Sequence, residues 1–168
     1  MTGPTTYRID AKDRIVGVGG AWGEFAQANG GNPDPSAVIG HPVWDFIRDK
    51  GTREIYRLLI LEARRRRMPI HIPFRCDSPA VERHMTMTLA PDEDDGIRFI
   101  CKLRHSHKRA LPRAVNGIAK PISLVACERC HRIHTRHGWK RCWDAVVAGD
   151  FEIDDRPIEI RQDSCYVC

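Results

Sequence analysis

The chain has 168 residues, of which 42% are hydrophobic and 29% charged, a composition that is typical of a globular protein and excludes a disordered or fibrous one. Its 27 Lys and Arg against 22 Asp and Glu give a net charge of +5, which permits a nucleic-acid partner without requiring one. No apolar run approaches the ~18–20 residues that cross a bilayer, and the N-terminus lacks the apolar core of a signal peptide. We therefore predict a cytoplasmic protein without membrane contact, whose seven cysteines are not expected to form disulfides.

The first part of the chain is predicted to begin with a β-hairpin and to continue with helices. Turn-forming residues separate two short apolar strands, and the apolar spacing then changes to the three- and four-residue intervals of helices. Thr52 is predicted to cap the longest helix, which ends at Met68-Pro69 because proline cannot continue the hydrogen-bond ladder. The predicted elements are strands over 7–10 and 15–18 and helices over 21–29, 42–47 and 52–67.

Three strands with alternating apolar residues come next. The alternation covers residues 70–76, 84–89 and 97–104, and the acidic segment 92–96 separates the last two runs. Alternating runs joined by short turns indicate an antiparallel meander with one buried face. Together with the hairpin, these runs predict an α+β fold, a five-stranded antiparallel sheet with helices on one face.

Residues 5–105 resemble the PAS family of small sensor domains, in this element order and in four local strings. These strings are WxxFAxxN at 22–29, IGHPVWDFI at 39–47, TRxxY at 52–56 and FRCDSP at 74–79. They are similar to a bacterial PAS-like branch whose members are intracellular signalling or regulatory proteins. The resemblance implies a PAS-like domain over 5–105 and a tendency to form homodimers, for which Ile100 on the predicted exposed sheet face is a candidate contact.

Six aromatic residues of this domain are candidates for a small-molecule pocket, although ordinary burial in the core explains them as well. They are Trp22, Phe25, Trp44, Phe46, Phe74 and Phe99. Haem is not expected, because His71 and His84 fall on the more polar strand face and the chain has no CxxCH string. Flavin-adduct chemistry is not expected either, since residues 21–67 contain no cysteine.

Residues 106–119 are predicted to form a basic linker. Together with the basic residues that precede it, the linker suggests a nucleic-acid contact. The candidate contact residues are Lys102, Arg104, Lys108, Arg109 and Arg113. The arginine run 64–67 also suits such a contact, but cations at a helix C-terminus complement the helix dipole without any partner. The acidic stretch 144–163 offers the linker an alternative partner within the chain.

Two CxxC pairs near the C-terminus are the strongest chemical signal in the sequence. Cys127 and Cys130 form the first pair, and Cys165 and Cys168 form the second. Four thiolates in a tetrahedron suit zinc, and a reducing compartment leaves thiolates free to bind it. The 34 residues between the pairs exceed the usual ~15–20, so an element must be inserted.

We predict that residues 120–168, the cysteine module, form a zinc-ribbon-like unit that a structural zinc ion holds together. A helix carrying Trp139, Trp143, Val146 and Val147 and a strand within 152–161 are the predicted insertion. The pattern of both cysteine pairs with Gly138-Trp139 resembles a tail found after sensor domains in some bacterial regulatory proteins. An iron–sulfur cluster, a redox dithiol and a site that includes one of three histidines remain alternatives; these are His131, His134 and His137.

The chain carries no catalytic motif of the common hydrolase, kinase or metalloprotease types, so we do not expect an enzyme. The predicted function is that of a sensor or adaptor, which passes a ligand or partner signal to another protein. Two alternatives stay open, a DNA-binding transcriptional regulator that uses the module and the basic linker, and a CxxC thiol oxidoreductase.

Overall fold

Two sheets and three α-helices make up the described part of the chain, in a computed structural model that describes residues 3–77, 81–108, 120–154 and 156–168. The strands and helices alternate irregularly along the chain, as expected for an α+β protein. In chain order they are β1 (Thr5–Ile9), β2 (Ile15–Gly20), α1 (Trp22–Ala28), α2 (Lys50–Arg66), β3 (Ile70–Arg75), β4 (Val81–Pro91), β5 (Ile97–Lys108), β6 (Ile122–Cys127), β7 (Ile133–Thr135), β8 (Gly138–Lys140), α3 (Cys142–Val147) and β9 (Ile158–Asp163).

The predicted five-stranded antiparallel sheet is confirmed, with the strand order β2-β1-β5-β4-β3. Its register aligns apolar residues across the strands, since Leu89 pairs with Ile70 on one side and with Phe99 on the other. The helix α2 contributes Ile55 and Leu59 to the same buried core as these strand residues. This arrangement follows from the change of apolar period, because a two-residue repeat buries one face of a sheet and a 3.6-residue repeat buries one stripe of a helix.

The start of α2 differs from the sequence prediction. Asp49, rather than Thr52, is the N-cap, and its Oδ2 accepts hydrogen bonds from the backbone N and the hydroxyl of Thr52 at 2.7 and 2.8 Å. Aspartate and threonine both cap helices well. The carboxylate of Asp49 accepts from the free backbone N–H of Thr52, so the helix begins at Lys50. The predicted short helix over 42–47 is a single 3-10 turn, Val43–Phe46.

The strand β5 extends further than predicted. Residues 106–108 belong to β5 rather than to the predicted linker, because they pair with residues 81–83 of β4. The remainder of the predicted linker, including Arg109 and Arg113, lies outside the described residues. The division into a domain, a linker and a module therefore stays a prediction.

The cysteine module forms a second, mixed sheet of four strands in the order β8-β7-β6-β9. The strands β6 and β9 are parallel, whereas β7 and β8 join antiparallel. Trp139 lies in β8 and pairs with His134, so its predicted place in a helix is wrong. Gly138, with φ +92°, turns the chain into β8, and the helix α3 starts only at Cys142.

The cysteine module packs directly against α2 and β3. Its residues Leu124, Val146 and Ile158 are buried in the same hydrophobic cluster as Ile55 of α2. At the edge of β3, the backbone N of Arg75 donates to the carbonyl of Ile153 at 2.7 Å. A segment of this length is too short to build a core unaided, and the module shares the core of the first sheet.

Candidate metal centre and apolar cavity

The four paired cysteines converge at one edge of the second sheet. Cys127 is the last residue of β6, and Cys165 follows the end of β9 at Asp163 by two residues. Because β6 and β9 are parallel and Cys127 pairs with Asp163, both chain ends leave the sheet at the same edge. Parallel pairing therefore explains how two knuckles that are distant in the sequence meet in space.

The sulfur geometry fits a tetrahedral metal ion. One ligand atom from each of the four cysteines lies within 4.8 Å of all the others. Three Sγ–Sγ distances are 3.5 Å for Cys127–Cys168, 3.4 Å for Cys130–Cys165 and 3.3 Å for Cys165–Cys168. A tetrahedron with Zn–S bonds of about 2.3 Å has edges of about 3.8 Å, so small movements would admit zinc. The cluster could bind a metal ion such as zinc.

The electrostatics of the cluster favour a cation. The backbone N–H of Cys130, together with those of Cys165 and Arg129, lowers the pKa of the Cys127 thiol to about 5, although burial opposes this. The neighbouring sulfurs of Cys165 and Cys127 raise the pKa of Cys168 to about 12. Crowded thiols of this kind cannot all ionise without repulsion, and a divalent cation removes the conflict.

Other candidate ligands lie outside this cluster. Among the residues that the structure describes, the four cysteines are the only group of three or more ligand atoms within 4.8 Å, so none of the three module histidines joins them. The other three cysteines are Cys76, Cys101 and Cys142. Burial raises the pKa of the Cys76 thiol and raises the pKa of Cys101 and Cys142 to about 12 in each case. A high thiol pKa makes these cysteines poor nucleophiles and poor metal ligands.

An apolar cavity of about 630 Å³ lies between the helical layer and the first sheet. Of the predicted pocket residues, Trp22, Phe25 and Phe46 line it. The complete lining is Tyr7, Ile15, Trp22, Phe25, Ala26, Asn29, Gly31, Asn32, Ala37, Val38, Val43, Phe46, Ile47 and Tyr56. The cavity is thus built by both helices, by the segment between them and by the hairpin.

The remaining predicted pocket residues do not line the apolar cavity. Trp44 packs under the guanidinium of Arg57 at 4.7 Å, Phe74 is part of the packing around the core, and Phe99 is fully buried. Phe99 stacks on Tyr7 with ring centroids 4.4 Å apart. Sequence analysis missed Asn29 and Tyr56, although they end two of the four recognised strings. The presence of these two residues in the recognised strings was the signal that could have identified them.

The apolar cavity also has polar groups. Trp22 lines it, and its buried indole Nε1–H has no hydrogen-bond partner among the residues that the structure describes. Burial raises the pKa of Tyr7 and of Tyr56, so both phenols stay neutral and keep their protons. Asn29 is held by its own helix through a hydrogen bond from Nδ2 to the carbonyl of Phe25 at 2.7 Å.

The arginine run at the end of α2 is engaged within the chain. Arg64 pairs with Asp13 at 2.9 Å, Arg65 with Glu62 at 2.9 Å, and Arg67 with Asp95 at 2.9 Å. Arg66 lies over the ring of Trp143 at 4.4 Å. Of the other candidates for nucleic-acid contact, Lys102, Arg104 and Lys108 lie in β5, and Arg104 donates to the hydroxyl of Thr86 at 2.8 Å.

No protein-family model and no curated protein matches this chain. The resemblance to PAS domains and to the cysteine tail therefore rests on the order of elements and on the strings quoted above. In the described ranges, no helix has both the length and the apolar character that a membrane span requires.

Proposed function

We propose that the protein is a bacterial, cytoplasmic PAS-like sensor or adaptor, whose zinc-ribbon-like module passes a ligand or partner signal to another protein. The observation that carries the proposal is that one helix, α2, contacts both the apolar cavity and the cysteine module. Tyr56 of α2 lines the cavity, and Leu58, Leu61 and Glu62 line a crevice beside Cys130.

The contacts between α2 and the cysteine module would couple the two regions. Glu62 forms an ion pair with Arg141 at 3.3 Å, and Arg66 lies over the ring of Trp143 in α3. At the start of α2, Asp49 accepts a hydrogen bond from the backbone N of Ile158 at 3.1 Å. A ligand that shifts α2 at Tyr56 would therefore change the packing of α3 and β9, provided that it binds one arrangement better than the other.

Zinc in this proposal is structural rather than catalytic. Four protein sulfurs would fill the tetrahedral coordination and leave no open position for a substrate. The ion would fasten the ends of β6 and β9 together, and structural zinc in finger peptides contributes roughly 10–16 kcal/mol to folding. The role of the ion would be to keep the module in the shape that contacts the partner.

The apolar cavity supports a small, largely apolar ligand. Most of its lining is aromatic or aliphatic, and its polar lining residues include Asn29, Asn32, Tyr7 and Tyr56.

Hydrogen exchange tests the coupling. The probe is 1-anilinonaphthalene-8-sulfonate, and its binding is expected to slow amide exchange in α2 and also in α3, which does not line the apolar cavity. Ala26→Phe narrows the cavity and is expected to weaken both effects, whereas Gln27→Phe on the exposed side of α1 is the matched control. Protection that is confined to the cavity lining would contradict signal transmission through α2.

Self-association is the second part of the proposal. Ile100 and Val16 line a shallow groove on the outer face of the first sheet, between Arg8, Arg98 and Lys102. Sedimentation velocity at high micromolar concentration is expected to show a dimer that Ile100→Asp dissociates. A sample that remains monomeric would remove homodimer formation from the proposal.

Duplex DNA binding that weakens steeply with salt would instead favour the transcriptional-regulator alternative.

A further inference from the structure

Glu82, His84, His105 and His107 form a patch on the β4–β5 ribbon, here called the histidine patch. In the register of these strands, His84 is directly opposite His105, and Glu82 is directly opposite His107. Residues two apart on a strand point to the same face, so these two cross-strand pairs lie side by side. The patch belongs neither to the cysteine cluster nor to the apolar cavity.

The three imidazole rings of the histidine patch are in mutual contact. The ring centroids of His84 and His105 are 4.3 Å apart, those of His105 and His107 are 5.2 Å apart, and those of His84 and His107 are 6.4 Å apart. The rings are accessible, since the side chain of His84 is 33% exposed and His105 and His107 are exposed. Neutral imidazole nitrogens are donors that suit zinc, nickel and copper ions.

A carboxylate orients one of these rings. His84 Nε2 lies 2.8 Å from Oε1 of Glu82, and a carboxylate can only accept, so this nitrogen carries the proton. In the neutral ring, this proton position leaves the lone pair on Nδ1 of His84. Histidines that bind metals usually donate their second nitrogen to a carboxylate in this way, and loss of that partner typically lowers metal affinity 10- to 100-fold. Glu82 is itself held by Arg75 at 3.0 Å.

We infer that the histidine patch is a second metal site, which binds a divalent ion of the zinc or nickel class through His84, His105 and His107, with Glu82 as a positioning residue. In the described residues only the cysteine quartet has its ligand atoms within 4.8 Å, so binding here requires the rings to turn about their side-chain torsions. The bound ion would clamp β4 to β5 next to the bulge between His84 and Met85.

A titration of the full chain tests this site. The chain is first saturated with one zinc ion at the cysteines, and Ni²⁺ is then titrated by calorimetry at about pH 7.5, where imidazole is mostly neutral. One further Ni²⁺ per chain is expected, with the cysteine-bound zinc retained in the elemental analysis. His105→Gln and His107→Gln are each expected to weaken Ni²⁺ binding at least tenfold, and Glu82→Gln about tenfold.

The matched control is His71→Gln. His71 is an exposed histidine of the neighbouring strand β3, where its Nδ1 contacts the hydroxyl of Thr88 at 2.8 Å, and its replacement is expected to leave Ni²⁺ binding unchanged. The inference is overturned if no Ni²⁺ binds beyond the zinc site, if His105→Gln and His107→Gln bind like the wild type, or if His71→Gln weakens binding equally. The result is independent of the proposed sensor function, because it concerns neither the cavity nor the module.

Discussion

Gly51, the second residue of α2, lies in close contact with Ile158 of β9 in the cysteine module. A Cβ atom added at this position would lie 1.8 Å from the carbonyl oxygen of Ile158 and 2.7 Å from its Cβ. Real Cβ atoms keep at least 3.0 Å from such neighbours, so Gly51→Ala would push β9 away by about 1.2 Å. The substitution is therefore expected to loosen the contact between the module and α2.

The size of the effect follows from three contributions. Forced overpacking costs about 1–3 kcal/mol, and loss of the hydrogen bond from Ile158 N to the Asp49 carboxylate costs about 1.5–3 kcal/mol. Alanine recovers at most about 1 kcal/mol through its higher helix propensity. We expect Gly51→Ala to lower the free energy of unfolding by about 1.5–6 kcal/mol.

Urea denaturation of the zinc-saturated protein measures this difference, with near-UV circular dichroism as the signal. Gly23→Ala in α1 is the control, because its added Cβ would meet nothing closer than the carbonyl oxygen of Pro33 at 3.8 Å. This control is expected to be neutral or to stabilise the protein by up to about 1 kcal/mol. If Gly51→Ala were as stable as Gly23→Ala, the close packing of β9 on α2 would be refuted.

Three further predictions concern the cysteine cluster and the α2–α3 contact. Cys127→Ser is expected to lose the bound metal and expose the partner thiols to alkylation, whereas Cys76→Ser keeps both metal and protection; equal metal content in the two variants would count against the quartet. Zinc affinity, measured with a competing chelator, is expected to fall from about pH 8 to about pH 6, because protons compete for the thiolates; a flat profile would exclude thiolate ligation. Glu62→Gln, which removes the charge facing Arg141, is expected to lower the free energy of unfolding by about 1 kcal/mol, more than the exposed control Glu54→Gln. Equal effects of the two substitutions would mean that the α2–α3 ion pair contributes nothing.

Local periodicity was sufficient to predict the first sheet and the longest helix. The alternation of Met85, Met87 and Leu89 and the helical spacing of Ile55 and Leu59 are properties of neighbouring residues, so they are visible in the sequence before any packing is known. Spacing alone was also sufficient to select the four cysteines. Both outcomes are expected, because each pattern has one dominant physical cause.

Short segments with balanced preferences were not predictable. Asp49 and Thr52 are both good caps, and only the position of the first free N–H group decides between them. Trp139 fits the spacing of a helix with Trp143, but Gly138 and pairing with His134 place it in a strand. Three of the six candidate pocket residues lie outside the cavity lining for the same reason, since an aromatic residue such as Phe99 serves a core as well as a cavity.

The sequence by itself determined the α+β class, the antiparallel meander and the two CxxC pairs, because these depend on residue type and on spacing along a short stretch of chain. Only the tertiary structure decided that β6 pairs with β9 in parallel, that the module buries its apolar residues against α2, and that Glu82 and three histidines share one face. These features depend on contacts between residues far apart in the chain, where backbone register and close packing, rather than local preference, determine which side chains meet.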